Sequence, residues 1–401
     1  MPAGGGARLP RPGAWLKSPA ARVAAVFVAL FFCTGVTMPF LTPWLAESRG
    51  LAGAEIGAIF AAAQLARLFT GAALAAWADG LKDRRTPIMI FAAGAFLAYA
   101  AFFTVEGFWP IFWAAFLATT MVQQIIPLTE AMALRRSLDG PLPYGVVRGL
   151  GSAAFILANV LGAAAIAVYG LGVAPIWALT ALALTVAAAL GLSADPAPPK
   201  AVQMGFRRRL REGLHLLANR RFALVLLGAG LIQASHAFYY VFSTVLWREQ
   251  GLPDAVIGLL WAFGVLAEVG LLFALTRLER RFPPEMFMLL GAAAAALRWT
   301  LMATAPLGPA LWALQALHAF TFAATHVGAM RIIQREAPEE VAGLAQTLYA
   351  ALGGGLILGL ATVSAGALYD AGGAAGYGAM AAMAVLGGIL ILPVAVAARR
   401  R

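Results

Sequence analysis

The chain reads as long apolar runs separated by short polar breaks. Twelve runs can be drawn, at 22–46, 54–78, 87–105, 109–134, 145–169, 173–192, 222–247, 254–276, 286–304, 309–332, 341–369 and 374–397. Crossing a bilayer as a helix takes roughly 20 mostly apolar residues. The runs are rich in Ala, Leu and Gly and do not alternate, whereas barrel strands would alternate over segments of about 10 residues. The pattern therefore predicts an all-α membrane protein of twelve transmembrane helices, spans 1 to 12. One break is long. It runs from Ser193 to Arg221, contains Pro196, Pro198 and Pro199, and carries Arg207, Arg208, Arg209 and Arg211. It divides the chain into a tail (1–21), a first six-helix bundle (22–192), a basic linker (193–221), a second six-helix bundle (222–397) and a short tail (398–401).

Composition agrees with this reading. Of 401 residues 62% are hydrophobic and 12% charged, whereas a soluble domain is about half apolar and a quarter charged. A soluble enzyme and a disordered regulator are both excluded. The single cysteine, Cys33, lies inside span 1, so no intrachain disulfide forms and no Cys/His metal spacing exists. No A-x-A cleavage pattern follows the first run, which is read as a retained span. No phosphate-binding loop, nucleophile triad or metal cage is visible, so neither an enzyme nor a cofactor is expected.

The net charge of +11 raises the question of nucleic acid, and its distribution answers it. With the N-terminus placed in the cytoplasm, all but five of the 29 Lys and Arg fall on the cytoplasmic side. Arg49 and Arg248 lie on the other side, and Arg67, Arg148 and Arg298 lie within spans. This asymmetry is the positive-inside pattern. It predicts an inner-membrane protein with both termini cytoplasmic and no nucleic-acid partner; the basic linker can also touch anionic lipid.

Ionisable side chains within spans are costly, at least about 2.5–3.5 kcal/mol each on insertion scales. This chain places Arg67 in span 2, Glu130 in span 4, Arg148 in span 5, His236 in span 7, Glu268 in span 8, Arg298 in span 9, and His318 and His326 in span 10. Such groups pair or line water. Direction and depth pair Glu130 with Arg148, and Glu268 with Arg298, either as helix-orienting ion pairs or as part of a shared site. Arg67 has no carboxylate at matching depth in spans 1–3; an anionic substrate can supply one, or Asp79 or a backbone carbonyl can. On span 7, Gln233, His236, Tyr240, Ser243 and Trp247 recur at steps of three and four, which predicts one polar–aromatic face, widened by Tyr239. Such a face lines a cavity suited to a ring-bearing ligand or makes interhelical hydrogen bonds. A carboxylate at Glu268 can hold a proton in a dry pocket, and an imidazole at His318 titrates near neutrality. They are the candidate proton-coupling pair, with core hydrogen bonding the alternative for His318. Gly353, Gly354, Gly355 and Gly359 give span 11 close approach and bending.

Two six-helix halves joined by a cytoplasmic linker are the arrangement of major facilitator transporters. The loop Ala78-Asp79-Gly80-Leu81-Lys82-Asp83-Arg84-Arg85 resembles the facilitator loop between helices 2 and 3, which makes Asp79, Gly80, Arg84 and Arg85 a candidate gating loop. Arg277-Leu278-Glu279-Arg280-Arg281 is its degraded counterpart in the second half.

Longer stretches carry a more specific resemblance. Pro127-Leu128-Thr129-Glu130-Ala131, Tyr144-Gly145-Val146-Val147-Arg148 with Gly151-Ser152, and His236-Ala237-Phe238-Tyr239-Tyr240 look like the 3-phenylpropionic acid transporter family of the major facilitator superfamily. So do Leu260-Trp261, Gly264 through Val269, Arg298-Trp299, Leu317-His318, Thr325-His326, Ala329-Met330-Arg331 and Arg67. The skeleton is also similar to the lactose permease group of oligosaccharide:proton symporters. That similarity implies substrate roles for Glu130 and Arg148, and substrate and proton roles for Glu268, Arg298 and His318. Where lactose permease has a second helix-10 carboxylate, this chain has Thr321. The resemblance implies proton-coupled uptake of a small aromatic carboxylate such as 3-phenylpropionate, by a monomer. Arg67, Arg148 or Arg298 would hold the carboxylate, and Tyr239, Tyr240 and Trp261 would face the ring. Rival readings are a sugar or nucleoside symporter using Glu130 and Gln233, a proton-independent facilitator, and a non-transporting receptor.

Overall fold

A computed structural model describes residues 18–81, 83–138, 142–195 and 206–399. The N-terminal tail to Lys17, the prolines of the linker and the last two arginines fall outside the described residues, as do Lys82 and the side chains of Asp79, Arg207, Arg208 and Arg209.

The described residues form twelve long helical segments. Span 1 is Pro19–Pro43 and continues through a π-helical turn, Trp44–Ser48. Spans 2 to 6 are Gly53–Asp79, Arg85–Ala101, Phe108–Leu138, Tyr144–Tyr169 and Val173–Leu190. A linker helix, Phe206–Ala218, precedes the second set. Span 7 is Arg220–Ala234 and Ala237–Glu249, span 8 is Asp254–Leu278 and span 9 is Pro284–Met302. Span 10 runs from Pro309 to Glu336 and span 11 from Ala342 to Gly372, each through a π-helical segment, Ala319–Ala324 and Leu352–Ile357. Span 12 is Tyr377–Arg399. Among the described residues, eight stretches are long and apolar enough to cross a membrane, the last of which, Ala342–Ala398, holds two spans.

Local chemistry sets where the helices begin. The Ser18 hydroxyl accepts from Ala21 N at 3.2 Å just ahead of Pro19. The Asn219 side chain accepts from Arg221 N and Phe222 N at 3.0 and 3.2 Å. Each cap satisfies amides that a helix start leaves unpaired. Large apolar side chains such as Phe69, Leu97, Trp113, Val168 and Phe273 stay exposed, as a lipid-facing surface requires.

Spans 1–6 pack among themselves, as do spans 7–12, and the two bundles meet along spans 2 and 11, 5 and 8, and 1 and 7. Two of these seams depend on glycine. A Cβ at Gly366 in span 11 would sit 2.5 Å from the Gly53 carbonyl oxygen in span 2, and one at Gly258 in span 8 would sit 2.4 Å from the Asn159 carbonyl oxygen in span 5. Small residues let the backbones approach to that distance.

The two ends of the molecule differ. At the end remote from the linker, Arg248 bridges the bundles to Glu47 at 2.8 Å. Asp370 of span 11 accepts from Gly53 N and Ala54 N at 2.9 and 2.7 Å, capping the start of span 2 across the seam. At the linker end each bundle carries its own ion network. Asp195 bonds Arg135 and lies 3.3 Å from Arg136 in the first. Glu285 and Glu336 hold Arg221 and Arg335 in the second.

Candidate functional site

A cavity of about 210 Å³ lies between the bundles. The first bundle supplies Phe31, Met38, Arg148, Ser152 and Phe155, and the second Tyr239, Tyr240, Trp261, Gly264, Val265, Glu268, His318 and Phe322. Six of the residues singled out from the sequence thus meet around one space: Arg148, Tyr239, Tyr240, Trp261, Glu268 and His318.

On the first-bundle wall, Arg148 Nε lies 3.5 Å from Glu130 Oε1, as direction and depth predict, with the two side chains 37% and 39% exposed. The same guanidinium lies over the Phe31 ring, 4.8 Å from its centroid, and reaches Ser152 Oγ at 3.5 Å. The contacts are long and the pair is partly exposed. A solute carboxylate can compete for this cation without first paying a large desolvation cost.

The second-bundle wall is tighter. The expected Glu268–Arg298 pair does not form. Arg298 is fully buried, its guanidinium covered by the Tyr239 and Trp299 rings at 4.6 and 4.5 Å. Its Nη2 donates to Gln315 Oε1 at 2.9 Å, and its Nη1 meets His318 Nδ1 at 3.1 Å and Thr321 Oγ1 at 3.5 Å. Span 10 thus stands between Arg298 and the cavity and takes up its donors first. Because a guanidinium only donates, His318 Nδ1 accepts and Nε2 carries the proton. That nitrogen faces Glu268 Oε2 at 3.7 Å, a gap that a small rotation or one water closes. Glu268 is therefore addressed through His318, not by Arg298 directly. Thr321, the position lacking a carboxylate, is a hydroxyl node between Arg298 and His236.

The span-7 face also departs from expectation. The helix breaks at Ser235–His236, held by a Ser235 hydroxyl bond to the Ile232 carbonyl at 2.7 Å and by Trp299 Nε1 donating to Ser235 Oγ at 2.8 Å. The break rotates the later residues relative to the earlier ones. His236 turns inward, its Nδ1 donating to the Gln233 carbonyl at 2.9 Å and its Nε2 2.8 Å from the Thr321 hydroxyl. Gln233 bonds the Phe322 carbonyl at 3.1 Å. Neither residue lines the cavity, nor do Ser243 and Trp247. Tyr239 and Tyr240 do, with the Tyr239 hydroxyl donating to Gln315 Oε1 at 2.9 Å. The Trp261 indole lies 4.7 Å from Tyr239, centroid to centroid, and donates to Thr244 Oγ1 at 3.0 Å. Arg67 lies apart from this cavity, on span 2 beside Gly354.

In the candidate gating loop, Arg84 N donates to the Asp195 carbonyl at 3.1 Å, Arg85 N donates to Asp83 Oδ1 at 3.0 Å, and Gly80 N closes a turn onto Trp77. The loop is therefore tied to the end of span 6. Asp195 and the far-end residues Glu47 and Asp370 were not picked out from the sequence. An acid just after an apolar run, opposite a basic loop, was the available signal for Asp195. Nothing in one sequence marks Asp370 as the cap of a helix more than 300 residues away.

A family-wide sequence profile described as "MFS_1 like family" matches residues 21–377. The "Probable 3-phenylpropionic acid transporter" of Escherichia coli (strain K12) is 32% identical over 357 residues, covering 87% of this chain and 90% of that protein. The "Maltose permease" of Geobacillus stearothermophilus is 30% identical over 361 residues, covering 86% of each. Among solved structures, a mutant of nucleoside transporter NupG superposes with a TM-score of 0.84 at 15% identity, covering 94% of this chain and 99% of that one. At that identity the likeness concerns the fold, and it agrees with the two six-helix bundles described above. The chain belongs to the MFS_1 like family, and it is a membrane transporter of the major facilitator superfamily.

Proposed function

We propose that the protein is a proton-coupled uptake transporter of the inner membrane for a small aromatic carboxylate such as 3-phenylpropionate, working as a monomer with both termini in the cytoplasm. The observation that carries this reading is that Arg148 from one bundle and Glu268 from the other line a single cavity together with Tyr239, Tyr240 and Trp261. A cation, a ring-lined pocket and a carboxylate able to hold a proton are what a symporter of an aromatic acid needs. The printed name of the Escherichia coli relative supports the same cargo.

In this reading Arg148 holds the carboxylate, displacing Glu130. The Tyr239, Tyr240 and Trp261 rings pack on the aromatic group. Glu268 carries the proton, with His318 as its relay. The Glu47–Arg248 bridge and the Asp370 cap close the far end, so the chamber faces the linker end, taken as the cytoplasm. Domain limits follow the linker at 193–221. The loop of Asp79, Gly80, Arg84 and Arg85 acts as the gate at that end.

Proteoliposomes with an imposed proton gradient test the reading. Wild-type protein accumulates 3-phenylpropionate and shows proton influx on its addition. Glu268→Gln abolishes uphill accumulation and keeps exchange of internal for external substrate. Accumulation by the Gln variant equal to wild type would refute the coupling role, and no flux of any aromatic acid would refute the cargo.

A second reading has one specific observation behind it: Arg148 already has Glu130 beside it, an acid–base pair that a neutral polyhydroxylated solute can bridge. The printed name of the maltose permease relative fits that class. Maltose or uridine uptake with no response to 3-phenylpropionate would select it.

A further inference from the structure

We propose that Arg67, on the span 2–span 11 seam, forms a second anion station, which exchanges the substrate's carboxylate with Arg148. The proposal rests on the aromatic-acid reading above.

Of Arg67, Arg148 and Arg298, two are engaged. Arg148 has Glu130, and Arg298 has Gln315, His318 and Thr321. Among the described residues Arg67 has neither an ion-pair nor a hydrogen-bond partner, although it is half-buried. A cation kept at membrane depth without a counter-charge is costly unless something anionic visits it.

Its guanidinium abuts a glycine. Arg67 lies on the span 2–span 11 seam, whereas Arg148 and Glu268 lie on the span 5–span 8 seam. Its Nη1 faces Gly354, where an added Cβ would come to 3.6 Å. Gly354 sits in the π-helical segment Leu352–Ile357, a kind of irregularity found disproportionately at functional sites. A larger side chain at 354 would take the space beside the guanidinium. One turn before Arg67, Gln64 is bonded by Gln123 at 3.4 Å, so the neighbourhood is polar.

Depth and rings connect the station to the cavity. By helix rise, Arg67 lies roughly 18 Å from the linker end of its span and Glu268 roughly 15 Å from the end of its own, so the two are nearly level. Phe322 lines the cavity. It stacks on His326 at 6.3 Å with an interplanar angle of 11°, and His326 is 6.0 Å from Tyr349 on span 11. Tyr349 lies within 4 Å of the Cβ position of Gly353, the residue next to Gly354. A ladder of rings thus leads from the cavity to the segment that Arg67 faces. An aromatic acid can slide along it between the two cations.

The test is equilibrium binding of radiolabelled 3-phenylpropionate to the purified full-length protein. Wild type is expected to bind two molecules per chain in two affinity classes. Arg148→Gln removes one class and Arg67→Gln the other, with Arg67→Lys retaining both. In proteoliposomes, Arg67→Gln slows substrate exchange three- to tenfold. One class in wild type, removed by Arg148→Gln and untouched by Arg67→Gln, overturns the second station and leaves the proposed function standing. Loss of both classes in Arg67→Gln with an unchanged melting temperature also overturns it, because Arg67 would then belong to the first site. If wild type binds no aromatic acid, station and function fall together.

Discussion

Arg148 and Arg298 look alike in the sequence, each a lone cation in an apolar span with a carboxylate expected beside it. In the folded protein they differ. Arg148 is 37% exposed, loosely paired and open to the cavity, whereas Arg298 is fully buried between two aromatic rings, its bonded partners all on span 10. Charge count does not decide function at a membrane-embedded site. What decides it is whether a solute can reach the charge without dismantling the bonds that keep it there. Arg148 meets that condition. Arg298 instead holds Gln315 and His318 in place, and through His318 Nδ1 it fixes which imidazole nitrogen faces Glu268.

The comparison breaks most visibly if Arg298 is removed. Arg298→Met is expected to cost about 3–5 kcal/mol, because Gln315, His318 and Thr321 lose a buried partner and the ring sandwich loses its filling. Thermal unfolding in detergent would read this as a clear drop in melting temperature; no change would mean that the cluster is dispensable. Arg148→Gln should do the opposite. Stability stays near wild type, while the half-saturation for 3-phenylpropionate rises about 10- to 100-fold, matching loss of a charge-assisted bond of about 1.5–3 kcal/mol. An unaltered half-saturation would remove Arg148 from the site.

A third change sharpens the second-bundle side. Tyr239→Phe keeps the ring over Arg298 and loses only the bond to Gln315, so destabilisation of about 1 kcal/mol is expected, with ring-dependent affinity retained. Loss of affinity instead would show that the hydroxyl contacts the solute. The smallest effect should come from Glu130→Gln. A half-exposed pair contributes about 0–1 kcal/mol, so unfolding barely moves. Affinity for an aromatic acid rises up to about threefold as the competing carboxylate disappears. A fall in affinity would favour the neutral, hydroxylated cargo.

Much of this arrangement was legible in the sequence, for physical reasons that differ by residue. The Glu130–Arg148 pair could be read because spans 4 and 5 are uninterrupted near it and adjacent in the chain, so direction and depth fix the meeting. The Glu268–Arg298 pair could not be read in the same way. Span 10 intervenes, and its π-helical segment begins immediately after His318. The span-7 face failed at Ser235–His236 for a related reason, since steps of three and four mark one face only while the helix continues unbroken. For Arg67 the sequence left open an anionic substrate, Asp79 or a backbone carbonyl; among the described residues it has no ion-pair or hydrogen-bond partner.

By itself the sequence determined that twelve segments are helical and cross a bilayer, because apolar runs of that length span hydrocarbon and a helix pairs every backbone amide within its own segment. It also determined which charges enter the membrane. The tertiary structure alone decided which of those charges share a cavity. That depends on helix breaks, which turn side chains by about 100° for each residue of phase, and on which donors and acceptors from neighbouring spans arrive first. It is also why Asp370, remote in sequence, caps the start of span 2 across the seam.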